Sequence, residues 1–370
     1  MARITHARAF MVDLVPKVLR TDAIQSFKSQ ETIFVEVTDA DGARGMGYSY
    51  TIGDGGPSVL ALLEHTLLPR LMGQEADAIE AIWRDLLFWT HATAVGPIMS
   101  LALAAIDTAL WDLRGRRTGL PLHLLAGGAK TSVPMYTTEG GWLHIAPEAL
   151  VEDAQAAQAQ GFRGSKVKIG KPTVAGDAAR LGAVREALGD DYEIMTDANQ
   201  SMTAAEALRR APMLEALNIG WFEEPLPSDD IAGHARLQAG TRVPVAVGES
   251  LYSPGQFADY IAQGACGIVQ ADVARVGGIT PWLKIAHMAE AHNIAICPHF
   301  LMELHVSLVC AVPNAPWLEY IPQLDEVAAP MARDGGLALA PTGAGLGIDW
   351  DMDRLSAQTA EGSRIEIREE

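Results

Sequence analysis

The feature that most constrains this chain is a repeat. From about Val133 onward a short apolar strand ends in polar residues, a loop and an amphipathic helix follow, a Gly or Asn closes the helix, and the unit begins again. Candidate strands are Pro134–Thr138, Ser165–Ile169, Glu193–Asp197, Gly220–Glu223, Val245–Gly248, Gly267–Ala271, Ala295–Cys297 and Trp317–Tyr320. Alternating units of this kind imply a parallel sheet, and eight is the number that closes a barrel. An open doubly wound sheet would carry a glycine-rich phosphate loop after its first strand, and no GxGxxG occurs there. Helix starts are marked at Pro147, at the capping-box spacing Thr203/Glu206, at Ser253–Pro254 and at Thr280–Pro281. Pro212 predicts a kink or an early end to the helix after Thr203.

Ahead of the repeat the texture differs. Thr32–Val37 and Gly45–Tyr50 alternate around the turn Asp41–Gly42, as a hairpin does, and Ser58–Met72, Asp77–Trp89 and Ser100–Arg117 have helical spacing. The fold class expected is therefore α/β, a TIM-type barrel with an N-terminal α+β capping domain. The divisions expected are 1–125 for the cap, 126–330 for the barrel and 331–370 for a segment returning to the cap.

Composition narrows the function classes. With 28 basic and 46 acidic side chains the formal charge is −18, and no Lys/Arg-rich run stands out, which argues against nucleic acid and anionic membranes as partners. An acidic protein that binds an anion must supply local positive charge, from a metal or a lysine cluster. Cys266, Cys297 and Cys310 are odd in number and form no CxxC, so buried thiols are expected rather than disulfides or a zinc site. No stretch approaches the ~20 apolar residues of a membrane span and Met1–Arg20 lacks a signal-peptide core, so a cytoplasmic location is expected.

Polar residues recur where the candidate strands end: Lys166 and Lys168, Asp197 and Asn199, Glu223 and Glu224, Glu249, Asp272, His299 and Glu319. In a barrel those ends line one mouth. Asp197, Glu223 and Glu249 are spaced by 26 residues each time (223 − 197 and 249 − 223), about one strand–helix unit. Three carboxylates packed together need a cation among them, and all-oxygen ligands suit Mg²⁺, with Mn²⁺ able to substitute. Lys166 and Lys168 fall on one side of their strand, and mutual repulsion should depress a lysine toward use as a base. Asp272 is placed to orient and charge His299. Glu319 is expected to stay protonated and to donate to a substrate oxygen.

Together these residues resemble the enolase superfamily, and within it the mandelate racemase subgroup. The resemblance runs through Ala105-Ile-Asp107-Thr-Ala-Leu-Trp-Asp112, Lys166-Val-Lys168, Asp197-Ala-Asn199, Trp221-Phe-Glu223-Glu-Pro, Gly248-Glu249, Gln270-Ala-Asp272 with Arg275-Val-Gly-Gly278, Pro298-His299 and Trp317-Leu-Glu319. It implies a modified (β/α)7β barrel, Mg²⁺ on Asp197, Glu223 and Glu249, Lys168 as one acid/base tuned by Lys166, His299 with Asp272 as the other, and Glu319 steadying an enediolate. It also implies a homo-oligomer. Tyr136-Thr-Thr-Glu-Gly-Gly141 and Pro298-His-Phe-Leu-Met-Glu-Leu-His305 are most similar to galactarate/talarate dehydratases, which implies loss of water from an acid sugar to give a 2-keto-3-deoxy acid. A 2-hydroxy acid racemase or epimerase, and a non-catalytic metal-dependent sugar-acid binding barrel, remain alternatives. Lid loops near Val15–Gln30 and Gly47–Gly56 are expected to choose the substrate, with Asn199, Lys28, Tyr48 and Tyr50 as candidate contacts.

Overall fold

The computed structural model describes residues 2–369. Eight short parallel strands, Ser132–Thr137, Gly164–Lys168, Glu193–Asp197, Phe222–Glu223, Val245–Val247, Ile268–Val269, Ala295–Ile296 and Leu318–Tyr320, pair with their sequence neighbours from the first to the seventh, and the eighth pairs back onto the first. Seven helices connect them: Pro147–Ala159, Val174–Leu188, Ala204–Ala216, Ile231–Ala239, Pro254–Ala262, Ile279–Ala291 and Met302–Ala311. No helix follows the eighth strand before the hairpin Arg333–Asp334/Leu337–Leu339, so this is the (β/α)7β form.

Local chemistry explains most boundaries. Thr203 and Glu206 cap each other's backbone in a full capping box, and Ser253 caps the helix opened by Pro254. Two expectations need correction. The helix Ala204–Ala216 runs on through Pro212, because that residue and Leu208, whose carbonyl loses its partner, lie on the solvent side where water can replace the bond. The helix after the sixth strand begins at Ile279 rather than at Thr280–Pro281, because the Thr280 side chain is turned to Asp107 instead of capping.

Beneath the mouth the barrel is plugged by Tyr136, Met195, Trp221, Ala246 and Cys297, with Tyr136 and Trp221 packed edge to face at 5.1 Å. The three cysteines are free and buried. No helix among the described residues is long and apolar enough to cross a membrane.

The cap is a four-stranded antiparallel sheet in the order Ile365–Arg368, Ile4–Leu14, Gln30–Asp39, Arg44–Ile52, backed by the helix Pro97–Thr118. The expected hairpin is the pair Gln30–Asp39/Arg44–Ile52 at one side of the sheet. The eleven-residue strand Ile4–Leu14 was not expected, because its apolar and polar residues do not alternate cleanly. The returning segment reaches both units: Leu337–Leu339 pairs with the first barrel strand and Ile365–Arg368 with Ile4–Leu14. Gly45 and Gly47 let the last cap strand lie against the backbone of helix Pro97–Thr118, since a Cβ at Gly47 would come within 2.3 Å of Ala109 N.

Candidate active site

Register brings the first residues together. Lys168 pairs with Asp197, and Asp197 with Glu223, so three consecutive strands present these side chains in one row at the mouth. Glu249 stands two residues beyond its strand; Glu223 is in register with Ala246, so the equal spacing overshoots the ladder and leaves Glu249 on the loop. One carboxylate oxygen from each of Asp197, Glu223 and Glu249 lies within 4.8 Å of the other two. The donor set is all oxygen and buried or nearly so, and it fits a hard divalent cation.

Cationic side chains converge on these acids. Lys166 Nζ is 2.9 Å from Glu223 Oε1, 2.8 Å from Glu319 Oε1 and 3.7 Å from Asp197 Oδ2. Lys168 Nζ contacts Asp197 Oδ2 and donates to Asn199 Oδ1 at 3.0 Å. The other oxygen of Glu223 accepts from Trp221 Nε1 at 3.0 Å and Gln270 Nε2 at 2.8 Å, which fixes its rotamer. His299 bridges Asp272, 2.9 Å from Nδ1, and Glu249, 3.0 Å from Nε2. Glu319 accepts from Thr138 Oγ1 at 2.5 Å and from Phe300 N at 2.7 Å.

Two charge-state expectations are overturned. Burial works against the ammonium of Lys166, yet Glu223 and Glu319 outweigh it and raise the group well above the usual lysine range; Lys168 is raised too, chiefly by Asp197. Repulsion between the lysines is the lesser effect because carboxylates outnumber them. Burial likewise favours a neutral Glu319, but Lys166, His299 and the Phe300 N–H hold its carboxyl down at about 2, so it is ionised rather than a donor. At His299 burial opposes the charged form, and Glu249 and Asp272 override it and push the imidazole up to about 10.

A narrow cleft lies above this cluster, with about 350 Å³ between its walls when the part open to solvent is included. Its floor includes Lys166, Lys168, Asn199, Glu249, His299 and Glu319, and its roof is Gln25, Phe27 and Ile52 from the cap. Both expected lid segments therefore reach the mouth. The segment around Gln25 is anchored by Arg20, whose guanidinium contacts Glu139 and donates to Pro322 O at 2.9 Å. The named lid contacts do not hold: Lys28 is exposed and Tyr48 is wholly buried between Phe34 and Trp350, and neither lines the cleft. Tyr50 is also buried away from it, on Asp272.

Sequence reasoning passed over Arg275, Trp142, Thr138 and Phe300 as site residues, all of which line the cleft. Arg275 donates to Glu249 O at 2.8 Å, and its position three residues after Asp272 was the available signal. His305, at the end of the motif that carries His299, is structural: Nδ1 lies 2.9 Å from Phe300 O and Nε2 accepts from Val273 N at 3.1 Å.

Known proteins share this arrangement over most of the chain. A mandelate racemase/muconate lactonizing enzyme N-terminal domain matches residues 8–127, and an enolase C-terminal domain-like unit matches 149–354. The L-talarate/galactarate dehydratase of Salmonella typhimurium is 40% identical over 79% of this chain and 73% of its own length. The 3,6-anhydro-alpha-L-galactonate cycloisomerase of Streptomyces coelicolor is 36% identical over 88% of this chain and 90% of its own. The crystal structure of L-talarate dehydratase from Polaromonas sp. JS666, complexed with Mg and L-glucarate, superposes with a TM-score of 0.94 at 35% identity, covering 100% of both chains. On these grounds the protein belongs to the enolase superfamily, among the mandelate racemase/muconate lactonizing enzymes.

Proposed function

We propose that the protein is a Mg²⁺-dependent acid-sugar dehydratase, a hydro-lyase that removes a proton beside a carboxylate and expels the β-hydroxyl to leave a 2-keto-3-deoxy acid. One observation carries the reading: two nitrogen groups, Lys168 and the Asp272-paired His299, line one cleft together with Glu249, the outermost member of a compact carboxylate triad. A binding protein has no need of that pair.

Asp197, Glu223 and Glu249 would hold the ion. Bound there, it supplies positive charge for the substrate carboxylate as that group gains electron density. The chain's own residues do the proton chemistry. Lys168 and His299 approach from the second and seventh strands, each held protonated in part by a carboxylate of the triad, Asp197 and Glu249 respectively. With the charge of that triad offset by a cation, one of the two gives up its proton and takes the α-proton, while the other delivers a proton to the departing hydroxyl. Lys166 offsets the charge of Glu223 and Glu319 and favours the ionised form of Glu319 beside the reacting carboxylate. Asn199, bonded to Lys168, is placed to orient that amine and to meet a substrate hydroxyl.

At the finer level, similarity to the Salmonella enzyme supports a six-carbon diacid of the galactarate/talarate kind as substrate, and manganese is expected to replace magnesium. A 2-hydroxy acid racemase is favoured by one feature, the apolar Phe27 and Ile52 in the roof. Incubation with Mg²⁺ and galactarate or L-talarate in deuterated water separates these. Keto-acid release with α-exchange supports the dehydratase. Exchange without release means a racemase or epimerase, and neither, with Mg²⁺-dependent binding retained, means a binding barrel.

A further inference from the structure

The cap touches the His299–Asp272 pair through one side chain. Tyr50 Oη donates to Asp272 Oδ2 at 2.6 Å, across 222 positions of sequence, and that same oxygen lies 2.9 Å from His299 Nδ1. Asp272 Oδ1 is held separately by the N–H groups of Ala274 at 2.8 Å and Arg275 at 3.2 Å. The carboxylate thus has one oxygen fixed by its own loop and the other shared between a barrel imidazole and a cap phenol.

Tyr50 is itself well held. Its ring packs on Phe300 at 4.7 Å, Phe300 stacks on His299 at 5.4 Å, and the Arg275 guanidinium lies 5.9 Å from the Tyr50 ring centroid. Burial raises the hydroxyl well above the usual tyrosine range, so it remains a donor. It does not line the cleft, and any influence on substrate passes through Asp272.

We propose that Tyr50 is a positioning residue for proton transfer at His299, so that the cap takes part in the chemistry as well as in roofing the substrate. This rests on the assignment of His299 as an acid/base group. Without the phenol, Asp272 Oδ2 loses its one donor from outside the barrel, the carboxylate turns more freely about Cβ–Cγ, and the imidazole that it orients turns with it.

The test is Tyr50→Phe in the Mg²⁺-loaded enzyme with galactarate as probe. Loss of a hydrogen bond to a charged acceptor predicts kcat for keto-acid release lower by about tenfold to hundredfold. KM should stay within about twofold, because the hydroxyl makes no substrate contact. In a His299→Asn background the same change should leave Lys168-dependent exchange of the α-hydrogen with solvent deuterium unaltered, since the group to be positioned is gone. A second readout needs no turnover. The downfield Nδ1 proton of His299, assigned by its loss in His299→Asn, should move in the proton NMR spectrum of Tyr50→Phe. Undiminished kcat, an equal loss of exchange in both backgrounds, or an unmoved Nδ1 signal overturns the proposal. Wild-type turnover in His299→Asn would instead remove the His299 assignment beneath it.

Discussion

His299 sits between two carboxylates, and that sandwich decides its charge. Burial alone would leave it neutral, whereas Glu249 and Asp272 on opposite nitrogens hold it protonated. The proposed roles give two residue-scale predictions. Lys168→Ala and His299→Asn should each lower keto-acid formation by at least about 100-fold, the scale of general acid–base catalysis, with unchanged circular dichroism. Retained turnover in either would remove that base. Glu249→Gln should weaken Mg²⁺ binding in a calorimetric titration by at least about tenfold, since losing even a residue that only orients a ligand costs about 10–100-fold; an unchanged affinity would move the metal elsewhere. At this scale the identities were legible in sequence, because a strand's end shows in its pattern and register does the rest. Charge states were not. The states of Lys166 and Glu319 depend on how many opposite charges surround each, which only the packed mouth reveals.

Between elements, Asp107 makes one of the buried contacts that join cap to barrel. From helix Pro97–Thr118 it accepts from Thr280 N at 2.9 Å and Thr280 Oγ1 at 2.6 Å, and Gly278 is needed beside it, since a Cβ there would fall 2.4 Å from Asp107 Oδ2. Burial pushes this carboxyl from 3.8 up to about 7, against those hydrogen bonds. The folded protein therefore binds the proton more tightly than the unfolded chain does, and this group's contribution to stability falls as pH rises from about 4 to 7. Relative to Asp107→Asn, wild-type melting temperature should decline across that window; parallel curves would show that Asp107 does not titrate there. Gly47→Ala drives a methyl into the backbone of the same helix and should cost about 1–3 kcal/mol in denaturant unfolding, with no loss expected if the helix can retreat freely. Helix caps and the repeat were readable at this level. Pro212 misled because the cost of a helical proline depends on whether solvent meets the freed carbonyl, and Glu249 misled because loop lengths vary while sequence intervals match.

For the molecule as a whole, the barrel and cap could be read from the order of strand and helix signals, while the closing of the cap by a distant strand could not. Nothing local to Ile365–Arg368 tells which sheet it joins. A divalent ion bound by the folded triad alone adds about 2.7 kcal/mol at a hundredfold excess over Kd, so Mg²⁺ should raise the melting temperature and chelation should reverse it. An indifferent melting curve would argue against the triad as a metal site. The pairing of the first and last described strands, Ile4–Leu14 and Ile365–Arg368, has a further consequence during synthesis. His6 and Glu366 are bonded though 360 positions apart, and the strands that carry them lie side by side. A ribosome delivers the first of these strands long before its neighbour, so the nascent sheet must wait with an open edge while the whole barrel emerges. Translation therefore leaves the roof over the reaction chamber among the last parts to be completed.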